Sequence, residues 1–204
     1  MPINFATIED IEDFLQVSIE SPHHIFSATR ALEEATAAIR NWCRQFISVV
    51  DDEEITIDTY GGTRIFLPEL PVMSVSAVIE NGITLTPGDD YALGQHGILH
   101  RIGRAWPVGI QTVTITYSHG YDPIPDDVIA IATRASSRAY QAGLRAADSD
   151  GVLGVSSKSL GDFSVAFSSE TGGSISEGVM GASSARMLLM SEQDILNRYR
   201  VKGP

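Results

Sequence analysis

The apolar positions of this 204-residue chain change period twice. Up to about residue 47 they recur every three to four residues, from Ile55 to Tyr117 they alternate, and from Val128 the helical spacing returns. Ile8, Ile11, Phe14, Leu15 and Ile19 share one helical face, and Thr7-Ile8-Glu9-Asp10 reads as a capping box in front of it. Ser21-Pro22 stops that helix and can cap the next. Over about residues 25–47, Ala28, Leu32, Ala35, Ile39, Trp42 and Phe46 form a second stripe, with small residues allowing a close helix neighbour. The run Asp51-Asp52-Glu53-Glu54 opposes the dipole at a helix C-terminus and is expected in a turn.

In the alternating stretch, Ile55 and Ile57, then Met73, Val75, Ala77 and Ile79, then Val113, Ile115 and Tyr117 each lie on one strand face. Asn81-Gly82 signals a two-residue hairpin, because both central positions of that turn need positive φ. Turn residues bracket Tyr91-Ala92-Leu93 and the short segment Ile98 to Ile102. The pattern predicts a small antiparallel sheet of about five to seven strands. Pro125 with Asp126 and Asp127 opens a third helix, whose face is Val128, Ala132, Ala135 and Ala139 and whose stop is Gly143.

The predicted fold class is α+β: a small helical bundle with an inserted antiparallel β-sheet domain and a flexible C-terminal arm. Residues 1–54 and 121–145 supply the helical body, and residues 55–120 the insertion. Residues 146–184 combine a loop, a possible strand over 158–167 and a Gly/Ser-rich linker. As a random coil, the linker over 168–184 would span roughly 20–25 Å. Residues 185–204 end in a short helix with Ser191-Glu192-Gln193-Asp194 as a second capping box, and Ile195, Leu196 and Tyr199 form its stripe.

Net charge is -12 and unevenly placed. Residues 1–54 carry eleven acids against three bases, whereas residues 184–204 carry two against four. Such a chain does not grip nucleic-acid phosphates, whose affinity comes from Lys and Arg. It can keep a protein soluble, or line a surface that a polyanion must pass. A single cysteine excludes an internal disulfide framework, and no apolar run reaches membrane length.

Catalytic motifs are missing. His96 and His100 flank a turn and a strand, and four strand residues would separate them by about 13 Å, too far to share a metal. Cys43 reads as a buried small hydrophobe, and Asp89-Asp90 and Asp126-Asp127 as turn and helix-start chemistry. His119, at a strand end, reads as structural in preference to a general base. Neither a nucleophile elbow nor a phosphate loop is present. The chain is expected to be no enzyme and to hold no cofactor or metal. A more remote alternative is a glycan- or small-ligand-binding face built on Trp106, Tyr91 and Tyr117.

One ordered series stands out: LPELPVMSV, NGITL, DYAL, ILHRIG with AWP, and VTITYSHGYDPIPDDV running into an alanine-rich helix with Tyr140. KSLGDFSVAF, the Gly/Ser stretch and SEQDILNRYR follow. This series resembles the head–tail connector, or head–tail adaptor, proteins of long-tailed bacteriophages and prophages.

The resemblance implies a structural virion protein, assembled in the bacterial cytoplasm and placed in the neck. It implies a ring, typically of twelve subunits, under the portal protein, extending the DNA channel toward a stopper, head-closure or tail protein. Genomic DNA would pass without specific binding, and no membrane is involved. Carried onto this chain, it makes Ile195, Leu196, Arg198, Tyr199 and Arg200 the portal-docking anchors. Phe163, Val165 and Phe167 form a possible intersubunit strand. A truncation after Ser183 is then expected to leave a folded body. The nearer alternative is a stopper or tail-completion protein of the same neck.

Overall fold

A computed structural model describes residues 4–148, 157–160, 163–166 and 187–201. Helices α1 (Ile8–Leu15), α2 (Pro22–Cys43), α3 (Asp126–Asp148) and α4 (Met190–Leu196) form one body. Between α2 and α3 the chain builds β1 (Val50–Tyr60), β2 (Arg64–Phe66), β3 (Val72–Glu80), β4 (Ile83–Thr84), β5 (Tyr91–Leu93), β6 (Ile98–Arg101) and β7 (Val108–His119). These make two antiparallel sheets, in the orders β1-β7-β3-β4 and β2-β6-β5, where the alternation alone predicts one. Two further strands, β8 (Ser157–Leu160) and β9 (Phe163–Ala166), pair with each other.

The α+β class and the inserted position of the sheets agree with the periodicity. Thr7 caps α1 as a capping box, and Ser21 with Pro22 starts α2 three residues before the expected start near residue 25. α2 ends at Cys43 because Arg44 adopts a left-handed conformation (φ 57), followed by Ile47 at φ 64. That reversal turns the chain into β1 and leaves Phe46 exposed. The acids Asp51–Glu54 lie within β1, where a turn is expected. A bulge at Asp52 (φ 47) absorbs the irregularity, and Glu53 and Glu54 pair with Tyr117 and Thr116. Asn81 and Gly82 have φ 49 and 82, as the β3–β4 hairpin requires. α3 continues past Gly143, which is tolerated within a long helix.

Two cores result. The helical core is built on Leu32, Ala35 and Ile39 of α2, Val128, Ile131 and Ala135 of α3, and Leu196 of α4. The β core lies between the two sheets, where Val78, Val113, Ile115 and Tyr117 meet Ile65, Tyr91, Leu99 and Trp106. The sheets are also clamped by charge. Arg101 of β6, buried over Trp106, donates from Nε to Glu80 Oε2 of β3 at 3.1 Å, and Arg104 Nη2 reaches Glu80 Oε1 at 2.8 Å. A buried guanidinium paired in this way through Nε fixes how one sheet sits on the other.

Candidate assembly interface

The two cores are joined where β7 ends beside α2. Gly120 (φ +105) carries the crossing: a Cβ there would lie 2.4 Å from Ser48 O, so no other residue fits. Beside it His119 is 1% exposed as a side chain. Its Nε2 lies 2.8 Å from Glu53 Oε2 on β1, and its Nδ1 lies 3.3 Å from Glu69 Oε2 in the β2–β3 loop. The same Glu69 oxygen accepts from Phe46 N at 3.2 Å, which brings the end of the helical body into the cluster. Gln45 adds a second tie, accepting from Leu70 N at 3.2 Å and donating to Tyr199 O. The ring of His119 is thus a structural tie, and among the described residues no group of three or more His, Cys, Asp or Glu is placed to hold a metal.

The C-terminal segment belongs to this joint. Arg138 of α3 makes a bidentate pair with Glu192, at 2.8 and 2.7 Å, and donates to Met187 O at 3.0 Å. Glu192 Oε2 accepts from Leu189 N at 2.9 Å, so the helix is capped two residues before the expected Ser191. Leu196 is fully buried, and Ile195 and Tyr199 pack against the helical core. Tyr199 donates to Asp127 Oδ1 at 2.6 Å, Arg200 stacks on Trp42, and Val201 N donates to Cys43 O at 3.0 Å. Of the expected anchors, Leu196 is enclosed by the chain's own body, Ile195 and Tyr199 are partly so, and Arg198 is exposed. The apolar stripe finds its partner inside the chain. Phe163 and Val165 lie in β9, and Phe167 falls outside the described residues.

Burial raises the thiol and phenol groups of this joint. The Cys43 thiol is pushed up to about 11 by desolvation, and Tyr199 to about 12 by desolvation and its bond to Asp127. Tyr117 is raised further, also mainly by desolvation. Raised values mean that the folded chain holds protons which the unfolded chain releases, so stability falls as pH climbs above about 9. Melting temperature is expected to be flat from pH 7 to 8.5 and to drop steadily beyond it. A thermal melt series that stays level to pH 11 would contradict this.

The opposite pole is built differently. β1 and β7 run away from the joint for about 30 Å. At their far end Tyr60, Val108 and Ile110 are 86%, 77% and 82% exposed. Tyr60 pairs with Val108 across the ribbon. The tip is braced: Asp58 Oδ1 accepts from Gln111 N at 2.8 Å where β7 bulges (φ 53), and Thr59 bonds both Pro107 O and Thr112. Three large apolar side chains held out on a braced ribbon are the usual mark of a contact surface. A second feature is an open groove of about 960 Å³ along α2, bordered by Glu33, Ala37, Arg40, Asn41 and Phe46.

Sequence reasoning missed the tip. Its signal was there: Tyr60, Val108 and Ile110 are apolar beside Gly61-Gly62 and Gly109, at turn positions where polar residues are the norm. By contrast, the proposed ligand face fails. Trp106, Tyr91 and Tyr117 are each at most 2% exposed and fill the β core, so they offer no surface to a glycan.

Residues 4–134 match the family model described as "HCP: Head completion protein". No curated protein sequence matches. Among solved structures, a chain of "Neck of empty GTA particle computed with C6 symmetry" is similar at 19% identity and TM-score 0.48, over 65% of this chain and 76% of that one. A chain of "Neck of native GTA particle computed with C12 symmetry" is similar at 14% identity and TM-score 0.47, over 66% and 75%.

Proposed function

We propose, from the premise that this chain belongs to the head completion protein family, that it serves as the adaptor of a phage neck: one subunit of a ring joining the portal to a stopper or tail protein. The observation that carries this reading is the two-ended build. A helical body sits at one pole, and a braced apolar tip sits about 30 Å away at the other, which suits a subunit that bridges two partners. The exposed acids Asp51, Asp52, Glu54 and Asp58 of β1 would let DNA pass a channel wall without being held. In this reading the portal contact uses the outer side of α4, with Arg198, Leu189 and Met190, because Ile195, Leu196 and Tyr199 face inward.

Electron cryomicroscopy of particles assembled with and without the protein tests it. Its loss is expected to leave filled or leaking heads without tails, and its density to form a ring directly on the portal. Density separated from the portal by another protein would favour the stopper reading instead. The tip gives a finer test. Tyr60→Asp or Ile110→Asp alters a solvent-facing side chain, so thermal stability should move by no more than about 0.5 kcal/mol. Tailed particles should nevertheless fall about tenfold or more, as for a lost interface anchor. Wild-type titres from both variants would remove the tip from the interface.

A further inference from the structure

We propose that strand β9 of one copy of this chain adds to the free edge of β1 in a second copy, carrying the four-stranded sheet across the subunit boundary. β1 is the outermost strand of its sheet and bonds β7 on one side only. It has eleven residues, whereas the opposite edge, β4, has two, and the edges of the other sheet, β2 and β5, have three each. A long edge presents a row of N–H and C=O groups that another strand can pair. Near its start the bulge turns Asp52 N toward β7, where it donates to Ser118 Oγ at 3.1 Å. Packing points the same way. Ile55 and Ile57 pack on the β core but are only half-buried, because among the described residues no further strand lies beyond β1 at the sheet edge. An added strand would cover them.

The donor is the pair β8 and β9, four residues each, which bond each other and neither of the other sheets. A two-stranded hairpin is marginal alone in water and gains from a third strand. Along β9 the sequence alternates Phe163 and Val165 with Ser164 and Ala166, the pattern of a strand with one apolar face.

Charge selects which strands meet. β1 carries Asp51, Asp52, Glu53, Glu54 and Asp58 and no base. Two copies of β1 side by side would face like charges, which disfavours a symmetric dimer through this edge. The strand residues of β8 and β9 include Lys158 and no acid. Donor and acceptor are therefore different surfaces. Such a heterologous contact repeats from copy to copy and closes into a ring when the rotation allows. The inference needs only two copies of this chain and stands apart from the neck reading.

Cross-linking of full-length protein tests it. Thr56→Cys, on the solvent side of β1, and Ser164→Cys are made as separate variants, mixed, and treated with a short bismaleimide. Cys43 stays silent, being buried with its thiol pushed up to about 11. At concentrations up to about 1 mM, the weak end of specific association, the mixture should link about tenfold above an Asn81→Cys plus Ser164→Cys mixture. Thr56→Cys alone should not link. In concentrated wild-type protein the amides of β1 should exchange more slowly than in dilute protein. Val165→Pro, which removes a strand N–H outside both cores, should abolish that slowing. Three results would each overturn the proposal: a mixed yield at the control level, predominant Thr56–Thr56 links, or a double variant that links within one chain at micromolar dilution.

Discussion

His119→Ala is expected to lower the unfolding free energy by about 2–3 kcal/mol, among the largest effects of any single change outside the apolar cores. The side chain is 1% exposed and lies between Glu53 and Glu69. Removing it leaves two carboxylates facing a void, one 33% and the other 18% exposed. Partial solvent access keeps the cost below that of a fully enclosed unpaired charge. The loss should also loosen the joint, because Glu69 is what holds Phe46 N against the β2–β3 loop. Urea unfolding reads the stability, and amide exchange at Phe46 reads the joint. A shift below about 0.5 kcal/mol, with Phe46 protection unchanged, would show that the histidine merely fills space. Double replacement with Glu69→Gln should cost less than the sum of the two single changes, since the two residues share one cluster.

Arg138→Ala is expected to release α4 and to cost about 2–3 kcal/mol. Glu192 is 4% exposed as a side chain, and Arg138 is its only cationic partner among the described residues. Leu196→Ala should cost about 2–5 kcal/mol by the cavity route, because that side chain is fully buried between α2 and α3. Both variants should be cut by protease near α4 well before the body unfolds. For the truncation after Ser183, a loss of stability is added to the expectation of a folded body. Removing Leu188 and Leu196 takes part of the helical core, so the shortened chain should melt earlier than wild type. Equal melting temperatures for the truncated and full chains would restore the picture of an independent arm.

Local chemistry carried much of this fold. Helical and alternating periods placed α1, α2, α3 and the strands of the insertion, because amphipathic spacing follows from which side of each element meets a core. Thr7, Ser21 and Asn81-Gly82 marked their caps and turn through interactions spanning at most three residues, so the sequence holds them directly. The chain also made a catalytic site unpromising and pointed to a neck component through an ordered series of motifs.

What the sequence could not hold were pairings between distant residues. Arg138 meets Glu192 across 54 positions, His119 meets Glu53 across 66, and Cys43 lies beside Leu196 across 153. No periodicity encodes such separations. An apolar stripe on α4 states that a partner is needed, and only the packed structure decides that the partner is the chain's own helical body. The same holds for the aromatics. Trp106, Tyr91 and Tyr117 look alike in sequence to Tyr60, but closure of two sheets over one core buries the first three and leaves Tyr60 at the tip. Burial is a property of how sheets stack, and stacking is settled by long-range contacts such as the Arg101–Glu80 clamp.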